Sequence, residues 1–265
     1  MTARKRDARP AILIALAFAI GPGTAAASGA RPTGLNVLLV TIDTLRADRV
    51  GACGSARSLT PNLDGLAARG AAFTRAFAHA TVTLPSHANI LLGATPSHHG
   101  VHDNLNFLVR PEFTTLAEHL AARGYATAAF VGGFPLVSYF GLDQGFAVYD
   151  DAFGRPEAGA GGAAAKTGER PAGEVWAAAR KWLGGRASPW FLWLHFYDPH
   201  DPYEPPEPYK GRFASNPYDG EVAYADAVLG EVLGDIRERG LEATTLVVCV
   251  SDHGESLGEH GEATH

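Results

Sequence analysis

The sequence predicts an α/β fold, a sandwich of helices around a mostly parallel sheet. Short apolar runs alternate with amphipathic stretches along most of the chain, the pattern of strands connected by helices. The strongest runs, Asn36–Ile42 (NVLLVTI) and Trp190–Phe196 (WFLWLHF), are continuously apolar, as strands covered on both faces are. The composition agrees: 265 residues, 46% hydrophobic and 19% charged, are enough for one sizeable core. Such a chain is not a disordered tail, a collagen-like fibre or a disulfide-stapled miniprotein. Its two cysteines, Cys53 and Cys249, allow one bridge and no framework. A net charge of −6 without a long basic run argues against nucleic acid as a partner.

In chain order, Asn36–Ile42 reads as the first strand. Pro61–Arg69 reads as a helix that stops at Gly70. Phe73–Ala78 reads as a further strand. In Phe113–Arg123, Phe113, Leu116, Ala117 and Leu120 have helical spacing before Gly124. Tyr125–Val131 is a strand, Glu174–Leu183 a helix and Trp190–Phe196 a strand. Tyr218–Glu238 is a long helix and Thr244–Val250 the last strand. Arg155–Pro171, rich in Gly and Ala and without periodicity, reads as a flexible surface loop within one domain over 34–265.

Residues 1–27 read as a secretory signal peptide. Arg4, Lys5, Arg6 and Arg9 precede an apolar run, Ala11–Ile20, and then small residues from Thr24 to Ala30. That run is well short of the ~20 residues a membrane span needs. Cleavage after Ala27 or after Ala30 fits, and an uncleaved N-terminal anchor is the alternative. Either reading places the protein in a periplasmic or secreted setting.

Ligands of open α/β sheets bind beyond the carboxyl ends of the strands. Three strands here end in polar clusters: Thr41-Ile42-Asp43-Thr44, His195-Phe196-Tyr197-Asp198-Pro199-His200-Asp201 and Ser251-Asp252-His253-Gly254-Glu255. Parallel strands would bring them to one edge, where Asp43, Asp252 and His253 could share a divalent cation of the Mg, Ca, Mn or Zn kind. An Asp after a strand often just caps a turn; three clusters together favour a site. In Thr81–Gly93, Pro85 fits a first helical turn, with Thr83 just before the helix. Free N–H groups and the helix dipole there favour an anion or an alkoxide. The alternative is that Thr83 or Ser86 is an ordinary cap.

These residues resemble the sulfatase family of the alkaline phosphatase superfamily. The similarity runs in order through Asn36–Arg49 (NVLLVTIDTLRADR), Thr60–Leu66 (TPNLDGL), Thr83–Gly93 (TLPSHANILLG), Phe191–Pro206 (FLWLHFYDPHDPYEPP) and Ser251–Gly261 (SDHGESLGEHG). It implies a three-layer α/β/α sandwich and an ester hydrolase. It also implies that Asp43, Thr83, Asp252 and His253 hold the metal, and that Thr83 is the nucleophile. His200 would contact the transferred group or protonate the leaving group, and His87 stands where the family's motif has Arg. Asp198, His260 and His265 are candidates for a second metal or for substrate. Relatives continue past His265, so the resemblance makes this catalytic domain incomplete at its C-terminus.

The departures from the family pattern bear on the chemistry. Family members convert a Cys or Ser nucleophile to formylglycine, and Thr83 cannot become that aldehyde because its β-carbon carries a methyl group. Thr44 stands where many members have a second Asp. Val131-Gly132-Gly133-Phe134-Pro135 stands where a Lys-Trp-His segment usually grips sulfate. These differences favour a phosphoester over a sulfate ester of a small molecule, glycan or lipid, with no stable protein partner expected. The rival readings are an envelope phospho-group transferase and an inactive, truncated metal- or anion-binding remnant.

Overall fold

The computed structural model describes residues 34–152, 169–187, 189–262 and 264–265, without the side chain of His260. The segment read as a signal peptide and most of the 155–171 loop lie outside the described residues. Five strands form one sheet: β1 (Asn36–Ile42), β2 (Ala126–Phe130), β3 (Val148–Asp150), β4 (Trp190–Phe196) and β5 (Thr245–Ser251). Their order is β3-β2-β4-β1-β5, and every pairing is parallel. The helices are α1 (Pro61–Arg69), α2 (Thr83–Leu92), α3 (Pro96–His99), α4 (Leu116–Ala121), α5 (Ala172–Leu183), α6 (Tyr209–Arg212) and α7 (Pro217–Glu238).

Side chains alternate across a strand, so the continuously apolar runs feed two cores. Leu38, Val40 and Ile42 of β1 and Leu192 and Leu194 of β4 pack with Val175 and Ala179 of α5 and with Val228 and Leu229 of α7. Leu39 of β1 and Phe191 and Trp193 of β4 pack on the other face with Leu84, Ala88 and Leu91 of α2 and Ala117 of α4. Helices on both faces make the three-layer sandwich. Thr41 and His195 are register partners on β1 and β4. They lie on the face that α2 covers, just before the strand ends.

Helix α1 shows how distant residues complete local structure. Its N-cap Thr60 makes no side-chain cap. The first-turn donors go instead to Asp226 of α7: Asn62 N–H donates to Oδ2 at 3.1 Å, Leu63 N–H to Oδ1 at 2.8 Å, and the Asn62 amide to Oδ2 at 2.9 Å. Asp226 is 3% exposed. Removing its carboxylate strands these donors, so Asp226→Ala is expected to lose about 2–3 kcal/mol in chemical denaturation. A loss below about 0.5 kcal/mol would show that water takes over the cap.

Several expected elements change. Phe73–Ala78 is not a strand but a turn at Thr74-Arg75 within irregular chain, with Phe73 and Phe77 more than 80% exposed. No described strand pairs with it, and an unpaired strand has no ladder to hold it. The helix expected over Phe113–Arg123 shortens to α4 because Thr115 and Glu118 form a reciprocal capping box that fixes its start. The short strand β3 has too few residues to show a period. The loop expected to be flexible is tied down at its end: Arg170 is buried and donates to the carbonyls of Val131 and Asp150 and to the Asp150 carboxylate. Cys53 and Cys249 are both free thiols, so the allowed bridge is not formed.

Candidate metal and nucleophile site

The parallel sheet brings the ends of β1 and β5 side by side, and with them Asp43, Asp252 and His253. Ligand atoms of these three buried residues lie within 4.8 Å of one another. Among the described residues no other group of three acidic, His or Cys side chains has this spacing. His253 Nε2 is 3.3 Å from Asp252 Oδ2 and 3.7 Å from Asp43 Oδ1.

Each of these side chains is anchored through one atom and bare at another. Asp43 Oδ2 accepts from His195 Nε2 at 3.2 Å, while Gly132 N–H donates to His195 Nδ1, which fixes that tautomer. Asp252 Oδ1 accepts from the amides of Thr44 and His253. His253 Nδ1–H donates to the Gly254 carbonyl, leaving the Nε2 lone pair to face the carboxylates. The remaining atoms, Asp43 Oδ1, Asp252 Oδ2 and His253 Nε2, are buried without hydrogen-bond partners, and so is Thr83 Oγ1. Buried polar atoms are normally satisfied, so four bare ones from the same site call for a ligand. Two carboxylates, an imidazole and a hydroxyl are a fitting donor set for a divalent cation.

The electrostatics point the same way. Burial pushes Asp43 up to about 6, against the opposing pull of His253 and His265. Burial, and then the nearness of Asp43, holds Asp252 well above the usual carboxylate range. Burial lowers His87 and His195 to about 3, so these two rings stay neutral, and burial also lowers His253. Two buried carboxylates close together are the arrangement that a cation relieves.

Thr83 is the first residue of α2, not the residue before it; the N-cap is Val82. Neither Thr83 nor Ser86 caps the helix: Ser86 Oγ donates to the Asp252 carbonyl at 2.6 Å. The expected free N–H groups are largely used up. Leu84 N–H donates to Asn104 Oδ1, Pro85 has none, and Ser86 N–H donates to the Val82 carbonyl. What remains at Thr83 is the helix dipole and a bare hydroxyl.

His87 does not face this opening. A chain of hydrogen bonds runs from Trp193 Nε1–H to Thr41 Oγ1, on to His87 Nε2, and from His87 Nδ1–H to the Thr83 carbonyl. His87 therefore props the start of α2 from beneath, with Nδ1 3.5 Å from Asp252 Oδ2. His200 lies at the rim, its ring centroid 5.2 Å from that of His265, which is 4.5 Å from that of His253. Glu255 holds His265 above the usual histidine range. Asp198 is not brought to the metal group: its Oδ2 accepts from Ala172 N–H at the start of α5. The side chain of His260 lies outside the described residues.

Two contributors went unassigned at the sequence level. His195 anchors Asp43, and its register opposite Thr41 was the available signal. Thr44 has a φ of 49°, a left-handed conformation that is uncommon for a β-branched residue. Its amide holds Asp252, its carbonyl accepts from the Tyr218 hydroxyl, and its own hydroxyl donates to the Pro199 carbonyl. Three contacts pin a strained backbone beside the site.

Fold and site together define an α/β protein with a buried group of two carboxylates and an imidazole, suited to a cation, at the carboxyl edge of its sheet. The chain belongs to the sulfatase family, whose model matches residues 35–265. It is 28% identical to Homo sapiens arylsulfatase A over 284 residues, covering 90% of this chain and 55% of that protein. It is 37% identical to Bos taurus arylsulfatase A over 120 residues, covering 42% of this chain and 22% of that protein. The chain thus spans little more than half the length of the human relative. The fold is shared with the phosphonate monoester hydrolase of Agrobacterium radiobacter, at a TM-score of 0.73 and 23% identity, covering 87% of this chain and 64% of that one. It is also shared with an alkaline phosphatase superfamily protein from Vibrio parahaemolyticus, at a TM-score of 0.67 and 23% identity, covering 85% and 56%.

Proposed function

We propose that the chain is an exported, metal-dependent ester hydrolase that uses Thr83 directly as its nucleophile and prefers phosphoesters to sulfate esters. The bare, buried Thr83 hydroxyl beside three bare candidate ligand atoms carries this reading. Asp43, Asp252, His253 and Thr83 would hold the cation, which when bound would favour the threonine alkoxide and neutralise charge on the transferred group. Thr83 gives its proton to solvent, and its oxygen attacks phosphorus while the bond to the leaving oxygen breaks. His200, which burial holds below the usual histidine range, takes up a proton from solvent and hands it to the leaving oxygen. Water then cleaves the Thr83 ester and restores the hydroxyl. His87 and His195 are neutral supports that hold α2 and Asp43 in place.

The preference for phosphoesters rests on the methyl group of Thr83 and on Gly132-Gly133, which offers no cationic arm. The substrate is a small-molecule, glycan or lipid ester. Export rests on the basic and apolar pattern of residues 4–20. No helix among the described residues is long and apolar enough to cross a membrane.

Leaving-group release from paired aryl sulfate, phosphate monoester and phosphate diester substrates tests the reading. Purified protein, its N-terminal residue determined, is assayed with Mn, Mg, Ca or Zn and after chelation. Metal-dependent release from a phosphate ester is the expected result. Release from the sulfate alone would overturn the preference. Silence on all three by folded, metal-bound protein would leave the inactive remnant.

A further inference from the structure

The cluster around His200 contains a side chain to which neither the proposed reaction nor the family resemblance gives a role. Tyr197 stacks on His200, with ring centroids 4.1 Å apart and planes 18° from parallel. Its hydroxyl is 3.1 Å from His200 Nε2. The other ring nitrogen, Nδ1, lies 2.6 Å from the Asp201 carbonyl, which can only accept, so Nδ1 carries the hydrogen. Nε2 therefore presents its lone pair, and the phenol donates to it. The backbone of this loop is fixed as well: Glu221 of α7 accepts from the amides of His200 and Glu204.

Room for Tyr197 comes from the two glycines after β2. A Cβ at Gly133 would press on the Tyr197 ring, 2.6 Å from Cε2, and one at Gly132 would sit 3.1 Å from the Tyr197 amide. Gly132 and Gly133 both have φ outside the left-handed region, so space and not backbone conformation is what glycine supplies here. Any larger residue at 133 would push the ring away from His200.

We propose that Tyr197, seated over Gly133, is the positioning residue for His200. The Asp201 carbonyl sets the tautomer that presents the Nε2 lone pair to the phenol, and the stacked Tyr197 ring holds the imidazole plane. A phenol oxygen both donates and accepts, so the contact reverses rather than breaks when Nε2 takes up a proton. His200 then keeps one orientation while it loads and releases the proton for the leaving oxygen. This inference rests on His200 being the acid of the proposed reaction.

Two measurements on the whole chain test it. Nitrogen-15 NMR of histidine-labelled protein should show His200 as the Nδ1–H tautomer with a hydrogen-bonded Nε2. Tyr197→Phe, which keeps the ring, should move the Nε2 resonance toward a free lone pair, and Gly133→Ala should do the same with the phenol intact. An Nε2–H tautomer in the wild type, or a resonance unmoved in Tyr197→Phe, would overturn the proposal. In kinetics, Tyr197→Phe should lower kcat roughly tenfold on an alkyl phosphate ester, which needs a proton on its leaving oxygen. The loss should be much smaller on a nitrophenyl ester. An equal loss on both, as a structural defect would give, overturns it. A His200→Ala variant insensitive to the leaving group sinks the acid reading instead, and the NMR result tells the two failures apart.

Discussion

Thr83→Ala is expected to lower metal-dependent ester cleavage by about 10⁴-fold or more, the scale on which enzymes lose rate with their nucleophile. The same change should not destabilise the metal-free protein. Thr83 is fully buried and its hydroxyl has no hydrogen-bond partner, so the wild type bears the cost of an unsatisfied polar atom. Removing such an atom can raise stability by about 1 kcal/mol. A variant that is inactive yet at least as stable in thermal unfolding is the signature of a functional hydroxyl. Thr83→Ser keeps the hydroxyl and should retain turnover within about tenfold of the wild type. Full activity in Thr83→Ala would remove Thr83 from the chemistry.

Asp43→Asn is expected to weaken divalent-cation binding by about 100-fold or more, read by calorimetry with Mn. In the metal-free protein the same substitution should stabilise, and by more at higher pH. The sign follows from the raised pKa of Asp43, which burial moves from 3.8 to about 6. The folded state then binds a proton more tightly than the unfolded state. The wild type is therefore least penalised below 3.8 and increasingly penalised as pH rises to about 6. His87 and His195, lowered to about 3, have the opposite pH dependence, but they are present in both proteins. The difference in stability between variant and wild type should therefore grow across that window and level off above it. A difference that shrinks with rising pH would show that Asp43 is stabilised as a carboxylate without any cation.

The continuous apolar runs made the sheet legible, because strands covered on both faces cannot hide their composition. Asn36–Ile42 and Trp190–Phe196 appear in the structure with the boundaries expected. The meeting of the polar clusters after Asn36–Ile42 and Thr244–Val250 was legible because a parallel sheet sends its carboxyl ends to one edge. Phe73–Ala78 misled because apolar residues suggest a strand, whereas a strand also needs a neighbour, and sequence spacing does not supply one. The anchoring partners were hidden for a related reason. His195 and Thr44 matter through contacts across 152 and 208 residues of sequence, which no local pattern encodes. His87 was readable as a motif residue, but its burial between Thr41 and Thr83 follows only from how α2 lies on the sheet.

The most direct test is acid quenching of the protein during turnover of a phosphate ester with a divalent cation, followed by peptide mass analysis. A phosphoryl group on Thr83, absent after chelation and absent in Thr83→Ala, is the expected result. Turnover that continues at the wild-type rate with no adduct on Thr83, and that survives in Thr83→Ala, would contradict the covalent threonine mechanism.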